Sequence, residues 1–405
     1  MILVKLLSLT LLQATQSLLP ALDKAVEVPM DFDGEAIFVK GSVNGKPATF
    51  FLDTGFSGAL LLSDRINVGP KAGTQRMIDF VGSFEVPTVE VKSLLVGEMN
   101  LVAKEIEVPQ WHVADIGRAY GRHCDGILGL QALSPYVVEF NFKDKKLVFH
   151  PRDKVDITKR TPDGASTFLV KMLPSGRDVI NLEVGFGTLK KAMAFDTGNA
   201  FYVAGYKEDL IKAGRFSEHE DPRYMHKTMV ASGATDSFDW WAHDFTIGGI
   251  PVQHAVWSIH DLPSADVTSG GTIGIRFIRD FNVTVDYRRR HLWFERISDG
   301  GFVPPPGEPG LRAYFDSDRG RWVVFTTKSD SPAAKAGIKE GDVILDVAGK
   351  DLRVATHKQF EDLLNGPPGS KVSIRISREG NLMRFELERA HLINGTGPSQ
   401  PAESQ

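Results

Sequence analysis

The sequence predicts a mainly β protein in which two copies of one β-rich lobe are followed by a smaller α/β module. Three observations predict this fold class. The tripeptide Asp-Thr-Gly occurs at 53–55 and again at 196–198, each time at the end of an apolar strand. Short β-branched and aromatic runs with turn signals between them fill both surroundings. After Ser298 the composition changes, first to a proline-rich stretch and then to mixed helix and strand patterns.

The surroundings of the two tripeptides repeat as well. At an offset of 143 residues, the approach 37–43 lines up with 180–186. At an offset of 145 residues, a later block lines up, with 127–130 against 273–275 and 140–149 against 285–294. A drift of two residues corresponds to one loop insertion, so the two halves are predicted to be copies of one lobe. We assign 22–151 to lobe one and 152–297 to lobe two.

The ends of the chain and its linker have their own signals. Residues 1–12 are apolar with one lysine, and the segment 1–21 resembles a secretory signal, with a buried N-terminal strand as the alternative. Residues 298–308 are predicted to be a linker stiffened by prolines. The domain after it spans 309–390, and 391–405 is predicted to be a disordered tail. Cys124 is the single cysteine, so no internal disulfide can form, and it is interpreted as a small core residue.

Composition narrows the classes of function. The formal net charge is −4 with both signs spread along the chain, which argues against a nucleic-acid partner. The eleven histidines show no metal-ligand spacing. We therefore predict no metal site and no cofactor. Because the duplication already supplies two lobes, a monomer is expected.

Asp53 and Asp196 are the candidate catalytic residues. Asp-x-Gly after a strand is ordinarily only a turn, and the duplication is what favours a functional pair. Two carboxyls held in contact cannot both ionise, so one stays neutral while its partner can act as a base. Such a pair can activate water for peptide hydrolysis. Support of the two loops is assigned to the hydroxyls and the small glycines of Thr54, Gly55, Thr197 and Gly198.

Over about residues 30–296, the two lobes resemble the pepsin and retropepsin group of aspartic peptidases. The resemblance rests on the apolar-apolar-Asp-Thr-Gly motif in both halves and on the apolar-Gly elements at 127–129 and 272–274. It implies that each lobe contributes one catalytic aspartate, with water as the nucleophile and a polypeptide as the substrate. It also implies a β-hairpin flap, for which Phe80 and Gly82 are the candidates; an ordinary surface hairpin is the alternative.

The sequence departs from that group directly after each motif. Pepsin-like enzymes usually have a serine or threonine there, whose hydroxyl stabilises the charged carboxylate, whereas this chain has Phe56 and Asn199. Without that donor in lobe one, the aspartate pair should titrate at higher pH. The hypothesis is a pH optimum nearer neutral than that of pepsin. Phe56 could equally narrow the cleft or mark a lobe that no longer catalyses.

The run 331–344 resembles PDZ domains of bacterial exported proteases, notably the HtrA type. Such domains take a peptide as an added strand between a strand and a helix, and backbone amides hold its terminal carboxylate. The resemblance implies that 356–364 is the groove helix and that Gly310, Leu311 and Arg312 form the carboxylate loop. A C-terminal peptide would be the ligand. The alternative is a PDZ fold that only packs against the lobes.

These observations favour a single-chain aspartic endopeptidase that is exported to a periplasm or secreted, or stays anchored if the signal is not cleaved. In that reading, the PDZ domain recruits peptides or regulates cleavage. The second hypothesis is a catalytically degenerate, PDZ-containing adaptor that binds peptides. A third, an enzyme active only as a dimer, is made unnecessary by the internal duplication.

Overall fold

The computed structural model describes residues 22–78, 83–113, 116–117, 120–174, 179–230, 233–262, 269–298, 305–316 and 319–397. Most of the regular structure is strand, and the strands form four sheets. The predicted fold class, two duplicated β lobes followed by an α/β PDZ domain, is confirmed. The signal-like residues 1–21 lie outside the described residues. Within the described part of the chain, no helix is long and apolar enough to cross a membrane.

Lobe one is made of short strands and one helical turn. Its elements are β1 (Val26–Pro29), β2 (Asp31–Phe32), β3 (Ile37–Val43), β4 (Lys46–Leu52), β5 (Leu60–Ser63), β6 (Lys71–Ile78), β7 (Ser83–Val91), β8 (Leu94–Val96), β9 (Met99–Asn100), β10 (Ile106–Trp111), β11 (Gly126–Leu128), α1 (Leu130–Leu133), β12 (Val137–Asn141) and β13 (Lys146–His150).

Lobe two follows a 3₁₀ turn at Ile157–Lys159. Its elements are β14 (Thr167–Lys171), β15 (Asn181–Phe186), β16 (Leu189–Phe195), β17 (Val203–Tyr206), α2 (Lys207–Lys212), β18 (His226–Val230), β19 (Gly233–Ile247), β20 (Ile250–His260), β21 (Ser269–Ile273), α3 (Ile275–Ile278), β22 (Phe281–Asp286) and β23 (His291–Arg296).

The two lobes share one topology. The lobe-one sheet has the order β6-β7-β10-β5-β11-β4-β3-β8-β9, with β2 paired to β3, and the lobe-two sheet has the order β18-β19-β20-β17-β21-β16-β15. The seven strands from β6 to β3 in the first order therefore each have a counterpart at the same place in lobe two. The strand before each Asp-Thr-Gly pairs in parallel with a late strand of its own lobe, β4 with β11 and β16 with β21. This agreement bears out the duplication inferred from the sequence repeat.

A third sheet, in the order β1-β13-β12-β22-β23-β14, joins the lobes. Its central strands come one from each lobe, and Val138 of β12 faces Val285 of β22. The apolar core is continuous beneath it, with the rings of Phe140 and Phe195 meeting edge to face at 6.3 Å between centroids. Burial of large apolar side chains is the dominant favourable term in folding. The shared sheet and core therefore hold the two aspartate loops in one rigid frame.

The PDZ domain forms the fourth sheet, in the order β24-β25-β26-β28-β29, with β27 paired to β26. Its elements are β24 (Leu311–Asp316), β25 (Arg321–Thr327), α4 (Pro332–Lys335), β26 (Val343–Val347), β27 (Lys350–Asp351), α5 (His357–Leu364), β28 (Lys371–Arg378) and β29 (Asn381–Glu388).

Both helices of this domain are capped by side-chain hydrogen bonds. The Ser331 hydroxyl accepts the N–H of Ala334 at 3.1 Å and caps α4, which has proline at its first position. Thr356 and Gln359 form a capping box at the start of α5. Beneath α5, Phe360 stacks on Trp322 with 4.2 Å between ring centroids. The domain thus has a core of its own, separate from that of the lobes.

A buried lysine joins the PDZ domain to lobe two. The Lys328 side chain is fully buried, and its Nζ lies 2.6 Å from Asp239 Oδ2 and 2.5 Å from Glu308 Oε1. Arg312 of β24 contacts the same Asp239 oxygen at 3.2 Å. A charge without water around it needs partners of opposite sign. The PDZ domain therefore packs against lobe two through a compensated cluster of charges.

The prediction of disorder from residue 391 is wrong for 391–397. Leu392 is buried, and Asn394 pairs with β19 of lobe two through its main chain, accepting from Trp241 N at 3.0 Å. The Asn394 side chain also bonds both main-chain groups of Arg223, each at 2.7 Å. The sequence of 391–397 shows no helix or strand pattern that would have predicted this order. The segment is ordered because Asn394 exchanges main-chain hydrogen bonds with Asp239 and Trp241 of β19.

Candidate active site

The two aspartates stand at equivalent points of the two lobes. Asp53 directly follows β4, and its N–H donates to Leu128 O at 3.0 Å. Asp196 directly follows β16, and its N–H donates to Ile273 O at 2.9 Å. In both lobes the acceptor carbonyl belongs to the end of the parallel neighbouring strand. The end of this pairing is what turns each loop out of its sheet, toward the other lobe.

The threonines of the two motifs cross between the lobes. The Thr54 hydroxyl donates to Phe195 O at 2.7 Å and accepts the N–H of Thr197 at 3.1 Å. Thr197 returns the same pair of bonds, to Leu52 O at 2.9 Å and from the N–H of Thr54 at 3.1 Å. Both side chains are buried. This set of four bonds fixes the distance between the two loops.

Each glycine of the motifs faces the aspartate of the opposite lobe. A Cβ atom added to Gly55 would lie 2.6 Å from the Asp196 carboxyl carbon. One added to Gly198 would lie 2.5 Å from the Asp53 carboxyl carbon. Carbon atoms do not approach that closely without a bond, so any larger residue would push the opposite carboxyl away. The two glycines are therefore the sequence feature that permits the loops to meet.

The two carboxyls are hydrogen-bonded to each other and titrate together. Asp53 Oδ1 accepts the N–H groups of Gly55 and Phe56 at 2.8 and 3.0 Å, and Asp196 Oδ1 accepts that of Gly198 at 2.8 Å. Burial raises the pKa of Asp53, although these bonds oppose the change. Burial and then the nearby Asp53 charge raise the pKa of Asp196 well above its usual 3.8. The pair is built to hold one proton between two acids.

The two departures from the expected motif have different surroundings. Phe56 gives the carboxyl only its main-chain N–H, and its ring lies against Gly58 and Gly129, where added Cβ atoms would come within 2.4 and 2.5 Å of ring carbons. Asn199 instead donates from Nδ2 to Thr272 Oγ1 at 2.8 Å. Neither lobe therefore receives a side-chain hydroxyl at this position. The Phe56 ring is accommodated because both neighbouring residues lack side chains.

The predicted flap residues Phe80 and Gly82 lie outside the described residues. The strands that lead to them, β6 and β7, do form an antiparallel hairpin, and Ile78 is paired with Ser83. In lobe two the topological counterpart is the hairpin of β18 and β19. That second hairpin contacts the PDZ domain, where the main chains of Met225 and Ser329 bond at 2.8 Å. The flap itself stays a prediction.

Tyr120 is a site residue that the sequence analysis missed. Its ring stacks on Phe51, with 5.6 Å between centroids. Burial raises the pKa of Tyr120, and the charges of Glu35, Asp196 and Asp53 raise it further, so the phenol stays neutral. It belongs to the connection between β10 and β11, which is longer than the connection between β20 and β21 in lobe two. The repeat therefore gave no counterpart that could have indicated it.

The predicted carboxylate loop of the PDZ domain is engaged with other groups. Gly310 has a positive φ of 83° and is buried, and its carbonyl accepts the N–H of Lys328 at 2.8 Å. Leu311 is buried in the PDZ core. The Arg312 guanidinium contacts Asp239 of lobe two. A role of these residues in binding a peptide carboxylate stays a prediction.

Cys124 is buried, as interpreted from the sequence, and burial raises the pKa of its thiol to about 11. A thiol that stays protonated at neutral pH is a poor nucleophile. The single cysteine is thus a core residue of lobe one, next to the β11 strand that supports Asp53.

Comparison with known proteins identifies the C-terminal domain by its family. The PDZ domain family matches residues 326–378. In sequence, the chain is similar to the periplasmic serine endoprotease DegP of Salmonella typhimurium, 32% identical over 125 residues, which are 29% of this chain and 26% of that protein. It is also similar to the serine endoprotease DegS of Haemophilus influenzae, 28% identical over 115 residues, which are 28% of this chain and 32% of that protein.

A third relative is the carboxy-terminal processing protease CtpB of Bacillus subtilis, 33% identical over 90 residues, 20% of this chain and 18% of that protein. The chain thus spans only about a fifth to a third of the length of these relatives. Among solved structures, it is similar to the aspartic proteinase from Irpex lacteus, with 14% identity and a TM-score of 0.42, over 68% of this chain and 98% of that one.

Proposed function

We propose that the protein is an aspartic endopeptidase in which Asp53 and Asp196 activate one water molecule between them. The observation that carries the proposal is the meeting of two carboxyls from duplicated loops, each facing the glycine of the opposite loop. Bringing two acids into contact costs free energy, because their charges repel and both lose hydration. The crossed threonine bonds between the two loops offset part of that cost.

In the proposed reaction the resting pair carries a single proton, on Asp196. Asp53 is then the base that takes a proton from water as the oxygen attacks the peptide carbonyl carbon. Asp196 gives its proton toward the carbonyl oxygen, so that a neutral tetrahedral species forms. In breakdown Asp53 gives its proton to the departing nitrogen, Asp196 takes back a proton from a hydroxyl of the tetrahedral species, and the C–N bond breaks. General acid and base catalysis of this kind contributes about 10²- to 10⁴-fold to a rate.

A serine mechanism is the alternative to consider, because DegP and DegS are named as serine endoproteases. Ser237 and His260 do lie together, with 3.0 Å between Oγ and Nδ1. Both are buried, and burial lowers the pKa of His260 to about 4. A nucleophile must reach its substrate and its base must accept a proton, so this pair suits a packed core better than a catalytic site.

The PDZ domain is assigned a role in binding polypeptide chains, because PDZ domains take peptides by strand addition. A periplasmic or otherwise exported location is proposed with it, from the signal-like residues 1–21 and from DegP, which is named as periplasmic. The protein would act as a monomer on polypeptide substrates. A peptide-binding adaptor with idle lobes is the competing function.

The proposal is tested by cleavage of an unfolded protein from about pH 3 to about pH 8, with wild type and with Ser237→Ala. We expect a bell-shaped dependence of the cleavage rate on pH. At low pH the rate falls because neither carboxyl is ionised, and at high pH it falls because the shared proton is lost. The optimum should lie above about pH 3, since lobe one lacks the hydroxyl donor. Ser237→Ala should keep the profile. Activity that rises to a plateau above neutral pH and disappears in Ser237→Ala would establish the serine mechanism instead. A wild type inactive throughout would favour the adaptor.

A further inference from the structure

An ion pair joins the PDZ domain to lobe one beside the aspartate pair. His357, the first residue of α5, has its Nδ1 2.6 Å from Glu35 Oε2, and both side chains are 19% exposed. Glu35 lies between β2 and β3 of lobe one. The His357 N–H would be 3.5 Å from a Cβ atom on Gly121. Helix α5 thus begins in direct contact with the lobe-one connection that carries Tyr120.

A short path of contacts leads from this ion pair to the aspartates. The ring of Tyr120 meets that of His357 at 6.4 Å between centroids, and it also stacks on Phe51, which lies two residues before Asp53. Tyr120 is close enough to both catalytic candidates for their charges to affect its titration. Tyr120 and its connection thus form a lobe-one wall between this ion pair and the strand that ends at Asp53.

The same ion pair is held from all three parts of the molecule. Arg276 and Arg279 of lobe two act electrostatically on Glu35, and Arg279 donates to the neighbouring Gly34 O. Glu361, one turn along α5, lies 3.9 Å from His357 Nε2, while Arg312 on β24 opposes the histidine charge. Burial opposes the charged forms, but the pair still raises the pKa of His357 and lowers that of Glu35. Both shifts favour the charged form of the group.

We propose that Glu35 and His357 form an interdomain clasp that sets the length of chain the cleft accepts. While it is closed, α5 stays against the lobe-one wall, so a short peptide can reach the aspartates but a long chain cannot extend past. Opening it frees this end of the cleft. This inference rests on the proposed peptidase function for the cleft, but the closed clasp itself does not. Both residues are positioning residues, because they act through the placement of α5.

The test compares full-length wild type with Glu35→Gln, His357→Gln and the double variant. We expect KM for an unfolded protein to fall about fivefold in each, the factor that corresponds to one hydrogen bond of ordinary net strength. For a short peptide, kcat and KM should stay within about twofold of wild type. The double variant should match the single ones, because one broken partner already opens the clasp.

Lys358→Gln is the matched control. Lys358 is the next residue of α5, but its partner Asp362 is on the same helix, and both are more than half exposed. The substitution removes a charge from the helix but changes no contact with lobe one, so kcat and KM for both substrates should equal those of wild type. Equal changes for the long and the short substrate in Glu35→Gln or His357→Gln would overturn the proposal, because a clasp acts on chain length alone.

Hydrogen exchange of the α5 amides separates this proposal from the proposed function. Exchange should be faster in Glu35→Gln and His357→Gln than in Lys358→Gln, since the first two free the helix from lobe one. Equal exchange in all three would overturn the clasp even if the enzyme is active. Faster exchange in a protein that cleaves neither substrate would support the clasp while contradicting the peptidase function.

Discussion

Asp196→Asn is expected to lower kcat/KM for peptide cleavage by about 10³-fold, the middle of the range for loss of an acid–base group. An amide cannot supply the proton that the pair shares, and it cannot accept one from water. Asp53→Asn should have the same effect, because neither carboxyl works alone. The double variant should be little worse than either single one, as expected for groups that act as a unit. The measurement is cleavage of one short peptide at the optimum pH.

Asp280→Asn provides the control for this prediction. Burial raises the pKa of Asp280 as it does for the pair, but this residue lies at the start of β22, beside Arg279. Its replacement should leave cleavage nearly unchanged. Unfolding in urea should show that Asp196→Asn is no less stable than wild type, because one of two repelling acids has been removed. Cleavage retained in either single variant of the pair would contradict the shared mechanism.

Lys328→Met is expected to lower the free energy of unfolding by about 3 kcal/mol, the lower range for breaking a buried ion pair from one side. The substitution removes the cation that Asp239 and Glu308 face, while methionine fills most of its volume. Arg312 remains near Asp239, which keeps the loss from being larger. Urea unfolding followed by tryptophan fluorescence measures the change. Lys358→Met on the surface of α5 should change the same quantity by no more than about 0.5 kcal/mol.

The same cluster gives the prediction a pH dependence. Burial alone would raise the pKa of Asp239, but the charge of Lys328 and other nearby positive groups hold it well below its usual 3.8. A lowered pKa adds stability that is present above 3.8 and is lost as the pH falls through the folded-state value. The difference between wild type and Lys328→Met should therefore be full at neutral pH and shrink in strong acid. A difference that does not change with pH would contradict this account of the cluster.

The fold could be predicted from the sequence because the signals for it were local or occurred twice. The two Asp-Thr-Gly loops, the later apolar-Gly elements and the caps at Ser331 and Thr356 each depend on neighbours within a few residues. The repeat then allowed a tertiary contact to be predicted from local signals, since copies of one lobe are expected to pack about a pseudo-twofold axis. That is why Asp53 and Asp196 could be paired from the sequence, although 143 residues separate them.

The contacts between domains could not be predicted in this way. Lys328 looks like any surface lysine in the sequence, and only its partners at positions 239 and 308 make its burial tolerable. Glu35 and His357 are 322 residues apart, and they are not a pair of equivalent positions in the two lobes, so the repeat does not link them. Asn394 is ordered by main-chain hydrogen bonds to β19, and the composition of the segment around Asn394 does not indicate that a strand lies beside it. In each case the deciding partner lies in another domain.

The shared proton of Asp53 and Asp196 is the central claim, and carboxyl ¹³C resonances of aspartate-labelled protein test it most directly. Each of the two resonances can be assigned from its loss in Asp53→Asn or Asp196→Asn. We predict that Asp196 in the wild type stays protonated well above pH 3.8, and that Asp53→Asn lowers its pKa by removing the neighbouring charge. Two independent titrations near the usual value, with Asp196 unaffected by Asp53→Asn, would contradict the account.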